Sequence, residues 1–333
     1  MNFHMVGKKP LGGLLFLGAV AFGLLNAPLA CAADAYPAEP VKIIVPFSPG
    51  GGVDNVARII AQQLSSVLKQ SVVVDNKPGA SGNIAAAYVA RAKPDGYTLL
   101  MASSILAVQY SLGKNMQFDA IEDLAEVGRV GYGPYVLVTP SSLPIKNLKD
   151  FEAYAQQHPQ EIFYGSPGVG SGHQLNGLML ADALKLDNAT HIPYKGGALA
   201  LTDLLAGRLT YMFAIKNEVT QFIQQGRLTP LAITGTTPAA DLPKVPTLKG
   251  LGLPDEGFTT WWGLMAPAGT PASVVQKVEA ALAQVMNDPN TQKSLQHISV
   301  TPGFMDAKTF TAFFKSDAVR YEQLIKSKNI EAQ

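Results

Sequence analysis

One passage constrains this chain more than any other. The β-branched run Val41-Lys42-Ile43-Ile44-Val45 gives way to Pro46-Phe47-Ser48-Pro49-Gly50-Gly51-Gly52, and Val53-Asp54-Asn55-Val56 follows at once. Apolar residues then stand at 56, 59, 60, 64, 67 and 68, the spacing of one helix face. The passage reads as a buried strand, a tight turn and an amphipathic helix. The first N–H groups of such a helix have no partner within it, and its positive dipole end faces outward. Three glycines keep side chains out of the way, so an anion can reach the backbone itself. Asp54 has two compatible readings: a helix-start cap paired with Arg58, or a holder of ordered water or a ligand ammonium.

The same unit recurs in altered form along the chain. Ser71–Asp75 reads as a strand leading through Pro78-Gly79-Ala80-Ser81-Gly82 into a helix from Ile84 to Ala92. Tyr97–Met101 is a strand ending in Ala102-Ser103-Ser104, and Val136–Val138 is another. A helix over 148–157 precedes Ile162-Phe163-Tyr164-Gly165-Ser166-Pro167-Gly168-Val169-Gly170-Ser171-Gly172, which opens a helix reaching about Leu184. Tyr194-Lys195-Gly196-Gly197 opens the next helix, followed by a strand at 209–214, a short helix at 219–225 and a strand at 231–234. After a Pro-rich connection over 238–254 come a strand at 261–265 and helices at 272–286 and 308–326. Strands alternating with helices predict α/β architecture with parallel-type sheets, whose ligands sit beyond the carboxyl ends of the strands. The Gly-rich turns fall at that end in both halves, which predicts two lobes sharing one cleft.

The N-terminus predicts export. Lys8 and Lys9 precede an apolar run from Leu11 to about Leu25, and small residues follow Asn26 and Pro28. This is the layout of a secretory signal over 1–33, with cleavage after Ala32, Ala33 or Ala35, and the run is shorter than the ~20 residues of a membrane span. Cys31 is the only cysteine, so the mature chain forms no disulfide and has no Cys chemistry. That chain carries 24 Lys and Arg against 25 Asp and Glu, which leaves no footprint for nucleic acid. About 300 residues with ample apolar content suggest two domains.

Cofactor and catalytic motifs are missing. Gly50–Asn55 and Gly168–His173 lack the last glycine of a dinucleotide fingerprint, and no phosphate loop ends in Gly-Lys-Ser/Thr. Tyr164 replaces the first glycine of a nucleophile elbow at Ser166. The histidines are scattered without metal-ligand spacing, and only His173 stands near a candidate site. No cofactor and no metal are expected. The enzymatic alternative is a periplasmic hydrolase or isomerase acting on a carboxylate, with Ser166 or Ser171 as nucleophile and His173 as base.

With these residues in view, the chain resembles the Bug family of periplasmic solute receptors, the receptors of tripartite tricarboxylate transporters. The likeness rests on Ile44-Val45-Pro46-Phe47 with Pro49-Gly50-Gly51 and Asp54, and on Asn76-Lys77-Pro78-Gly79-Ala80 with Gly82-Asn83-Ile84. It extends through Pro94-Asp95-Gly96-Tyr97-Thr98-Leu99, Tyr164-Gly165-Ser166 with Gly168-Val169-Gly170-Ser171, Pro193-Tyr194-Lys195-Gly196 and Ala266-Pro267-Ala268-Gly269-Thr270-Pro271. The resemblance implies a two-lobe Venus-flytrap of the type II periplasmic-binding class, with 36–136 plus 259–333 as lobe one and 137–258 as lobe two. It implies a monomeric periplasmic receptor, not an enzyme, which grips a small organic carboxylate partly through water and serves membrane transporter subunits or a sensor kinase.

The grip expected from the resemblance uses the first turn (Phe47, Ser48, Gly51, Gly52, Val53 and Asp54), the serines Ser81, Ser103 and Ser104, and the turn carrying Ser166, Gly170, Ser171 and His173. Three departures bear on specificity. Val53 stands where the family has Thr or another small residue, and the loop after Ser104 lacks the usual Asn-Pro. After Met212-Phe213 the family places Asp, whereas this chain has Ala214-Ile215-Lys216-Asn217. Loss of that acid and gain of Lys216 predict a ligand with a second negative group, met by Lys216 and Asn217.

Overall fold

The structure, a computed structural model, describes residues 36–113, 116–255 and 259–327. The expected export signal lies outside them. From Pro37 onward the chain forms one unit, and among the described residues no helix is long and apolar enough to cross a membrane.

The opening passage folds as its pattern dictates. Strand β1 (Val41–Val45) is almost entirely buried, and helix α1 (Gly52–Leu68) turns Val56, Ile60 and Leu64 onto the sheet with no exposure at all. Lys69 in the left-handed conformation ends the helix (φ 54°). Strand β2 (Val72–Asn76), helix α2 (Asn83–Ala90) and strand β3 (Thr98–Ser103) complete a parallel trio in which β1 lies between β2 and β3.

Beyond β3 the sheet departs from the parallel expectation. Helix α3 (Ser104–Leu112) is followed by β4 (Leu124–Pro140), a strand of 17 residues. Strand β9 (Thr259–Pro267) pairs antiparallel with both β3 and β4, and β10 (Thr301–Asp306) pairs antiparallel with β4 on its other side. The order is β10-β4-β9-β3-β1-β2, a mixed sheet. Helices α8 (Ala272–Asn287), α9 (Pro289–His297) and α10 (Ala307–Ser327) belong to this sheet's layers: α8 packs on α1 and β4, and α10 packs on α3 and β4. Trp261 anchors that contact, its ring edge-on to Phe310 and Phe314 and its indole N–H donating to Asp317 at 2.7 Å.

Strand β4 belongs to both lobes. Leu124 through Pro134 align with β9, and from Tyr135 onward the strand pairs with β7 (Met212–Ile215) and β8 (Leu228–Ile233). Between β4 and β7 the chain lays down α4 (Leu148–Gln157), β5 (Phe163–Ser166), α5 (Gly172–Ala183), β6 (Thr190–Pro193) and α6 (Gly197–Leu205). Helix α7 (Lys216–Gln224) then links β7 to β8. The second lobe has its own core, where Val136, Val138, Leu204, Met212, Val219 and Ile233 are buried together. The result is a two-lobe α/β periplasmic-binding fold with a cleft between the lobes.

Candidate functional site

The first turn is held in shape by Asp54. Gly51 occupies the cap position without a side chain to offer, and Asp54, the third residue of α1, reaches back to accept the Gly50 N–H at 2.9 Å. Its carboxylate also accepts from Arg58 Nε at 2.8 Å and Asn76 Nδ2 at 2.9 Å, and the same amide nitrogen donates to Phe47 O. Burial pushes the Asp54 pKa up, but the hydrogen bonds from Arg58, Gly50 and Asn76 outweigh it and hold the carboxyl below its usual value. Asp54 thus faces its own loop and is not part of the cavity wall beside it. Gly50, at φ 85°, makes the turn possible.

That cavity is where helix starts converge. Its wall takes Gly52 and Val53 from the start of α1, Ser104 and Ile105 from α3, Gly172 and His173 from α5, and Gly197 from α6. Glu218, in the first turn of α7, also lines it. Each start brings backbone N–H donors and a positive dipole end to the same small volume. The open volume is about 20 Å³, room for a water molecule and little more.

Across the cleft, Glu218 Oε1 accepts the Gly52 N–H at 3.0 Å, while Oε2 lies 3.4 Å from His173 Nε2. Both side chains are 5 % exposed. Asn217 Nδ2 donates to Gly52 O at 3.1 Å, a second bond between the lobes. A third joins Gln109 Nε2 to Val169 O at 2.6 Å. The glycines are required by this closeness: a Cβ on Gly52 would stand 2.6 Å from Asn217 Oδ1, and one on Gly197 would collide with the Glu218 carboxylate. At the floor, Ser104 Oγ donates to Thr260 Oγ1 at 3.2 Å, and Tyr135 meets His173 edge-on at 5.1 Å. Full burial pushes the Tyr135 phenol up to about 12.

The residues singled out from sequence are distributed unevenly around this cavity. Phe47, Gly51, Gly52, Val53, Ser103, Ser104, Ser171 and His173 line it. Ser171 is also the cap of α5, with Oγ donating to Gly168 O at 2.8 Å and accepting from Gln174 N at 3.3 Å. Ser48 sits at the lobe contact instead, its hydroxyl on Lys195 O at 3.3 Å. Ser81 lines a separate small cavity with Asn83 and Leu106, and Gly170 donates to Gln174 Oε1 within its own turn. Ser166 is fully buried behind the wall, 2.6 Å from His191 Nε2 and bonded to Gly168. Lys216 does not line the cavity: its Nζ pairs with Asp241 at 2.5 Å, and Asp241 also accepts from Ser299. Asn217 serves the interlobe bond.

Glu218, Tyr135 and Thr260 escaped the sequence reading. Glu218 looks like an ordinary solvated acid in the first turn of a short helix. The available signal was that α7, like α1 and α5, starts at the carboxyl end of a strand. Among the described residues no cluster of His, Cys, Asp and Glu is suited to a metal ion.

Comparison with known proteins agrees with this fold. The profile of the tripartite tricarboxylate transporter family receptors matches residues 56–330. Protein BugT of Bordetella pertussis is 33% identical over 311 residues, covering 92% of this chain and 94% of its own length. The periplasmic binding protein BugD superposes with a TM-score of 0.86 at 32% identity, covering 90% of this chain and all of its own. R. palustris Rpa4515, solved with adipate, gives 0.85 at 31% identity, covering 89% of this chain and 99% of its own. The family model describes receptors, and BugD is a binding protein. The chain belongs to the tripartite tricarboxylate transporter family of receptors.

Proposed function

We propose that this receptor is exported to the periplasm by its N-terminal signal, closes its two lobes around a small organic carboxylate, and presents that ligand to membrane transporter subunits or to a sensor. The lobes are taken as 36–136 with 259–333, and 137–258, so that β4 and the return segment before β9 carry the hinge. The observation that carries this reading is the meeting of four helix starts from both lobes on one cavity, with Glu218 of a fifth facing them. Backbone N–H donors at Val53 and Ile105, with hydroxyls at Ser103 and Tyr135, are the groups assigned to the ligand. The adipate complex of Rpa4515 supports the choice of a carboxylate. Four charge-assisted hydrogen bonds at about 1.5–3 kcal/mol each support the ~8 kcal/mol of micromolar binding after ordering costs.

The reading is tested by a thermal-shift panel of organic acids on mature protein that has been denatured and refolded to strip carried-over ligand. At one hundred times its dissociation constant a single-site ligand stabilises the fold by about 2.7 kcal/mol, a shift of a few degrees. A response confined to acids of one chemical group is expected. Equal shifts with neutral solutes and acids would overturn the assignment.

A further inference from the structure

The cavity contains a carboxylate of its own. Among the described residues that line it, Glu218 is the only acid, neither lysine nor arginine stands with it, and the one imidazole is His173, 3.4 Å from Glu218 Oε2. Two cations near the cleft are committed elsewhere, Arg58 to Asp54 and Lys216 to Asp241. Glu218 itself is not saturated. An ionised carboxylate offers about four acceptor positions, and here Oε1 takes one backbone N–H while Oε2 has only the long contact to His173. Gly197, and more loosely Gly51, leave the space that lets this side chain lie against the start of α1.

We propose that Glu218 makes the site selective for acids that carry a protonated amine beside their carboxylate. This rests on the carboxylate-receptor reading and narrows its ligand class. The helix starts supply N–H groups and partial positive charge for one carboxylate, but no lysine or arginine faces a second. A plain acid entering so small a cavity puts two carboxylates within a few ångströms in a dry setting, a repulsion that lowers affinity on the order of a hundredfold. An ammonium group between them reverses the sign. It fills the open lone pairs of Glu218 while the ligand carboxylate turns to Val53, Ile105 and the hydroxyls of Ser103 and Tyr135. The Lys216 prediction of a second negative group gives way to the opposite: a positive one.

The test is calorimetric titration of the refolded mature protein with pairs differing only by an amine: β-alanine against propionate, 4-aminobutyrate against butyrate, aspartate against succinate. Wild type is expected to favour the amine member of the binding pair by about a hundredfold, a comparison that needs no variant. In Glu218→Gln, which keeps the shape and the acceptor for Gly52, that preference collapses to within a few-fold. Equal affinity for both members in wild type overturns the proposal and leaves the carboxylate receptor standing. So does a Glu218→Gln variant that tightens both members alike, because Glu218 would then merely occupy the cradle. Binding of propylamine as tightly as β-alanine overturns the carboxylate reading instead, and binding of no member by either protein overturns both.

Discussion

Replacing Gly52 with alanine tests whether the lobes must meet at the start of α1. Gly52 has ordinary helical geometry, so alanine costs its backbone nothing and, by restricting the unfolded chain, adds up to about 1 kcal/mol of stability. The problem lies across the cleft. The new methyl group would stand 2.6 Å from Asn217 Oδ1, 3.2 Å from Nδ2 and 3.3 Å from Cγ, where ordinary contacts are 3.4 Å or more. Asn217 cannot simply swing away, because its Nδ2 donates to Gly52 O. Overpacking of this kind costs about 1–3 kcal/mol, and here only the closed state bears the cost. Ligand affinity therefore falls about 5- to 150-fold while the melting temperature without ligand stays level or rises. Titration calorimetry of Gly52→Ala, Asn217→Ala and the double variant measures this as a coupling energy of at least about 1 kcal/mol. Asn217→Ala in the same chain restores most of the loss. Unchanged affinity in Gly52→Ala, or additive losses in the double variant, would refute the reasoning.

Two further outcomes follow from the site's supports. Asp54→Ala strands the Gly50 N–H, leaves the Asn76 amide with Phe47 O alone as acceptor, and removes the Arg58 pair. Since Arg58 is 53% exposed it adds little, and the expected loss is about 2–3 kcal/mol in denaturant unfolding, with less than 0.5 kcal/mol refuting the brace. Burial holds the His191 pKa at about 4, below its ordinary 6.5. Between these values the unfolded chain takes up a proton that the folded one refuses, so stability falls as pH drops from 6.5 towards 4. His191→Gln, still able to bond Ser166, should lose less stability over that window, and melting curves of both proteins that fall in parallel would contradict this.

Legibility in the sequence followed the strength of local pattern. The turn into α1 could be read because a glycine run separates a β-branched strand from a strictly periodic helix. Helix α3 could not, because Ser104-Ile105-Leu106-Ala107-Val108 is buried on nearly every side and so carries no 3.6-residue alternation. Strand β4 was read as three residues because Gly128, Gly131, Gly133 and Pro134 look like breakers. In the fold they allow close packing instead, and a Cβ on Gly131 would stand 2.5 Å from Thr301 O. The antiparallel insertion of β9 between β3 and β4 brings together residues more than 120 positions apart, which no local pattern encodes. Of the residues that line the cavity, several attached to a turn motif could be named from sequence, and those delivered by tertiary contact could not. Glu218 reaches Gly52 across 166 residues of sequence, and Tyr135 arrives where β4 changes sheets.

The central claim is that this chain closes on an organic acid, and small-angle X-ray scattering of the refolded mature protein during titration with the acid that most raises its melting temperature tests it most directly. The account predicts a decrease in radius of gyration that saturates at one equivalent of acid per chain. A radius that does not change while the acid binds, or that changes without saturating, would contradict closure around a ligand in the interlobe cavity.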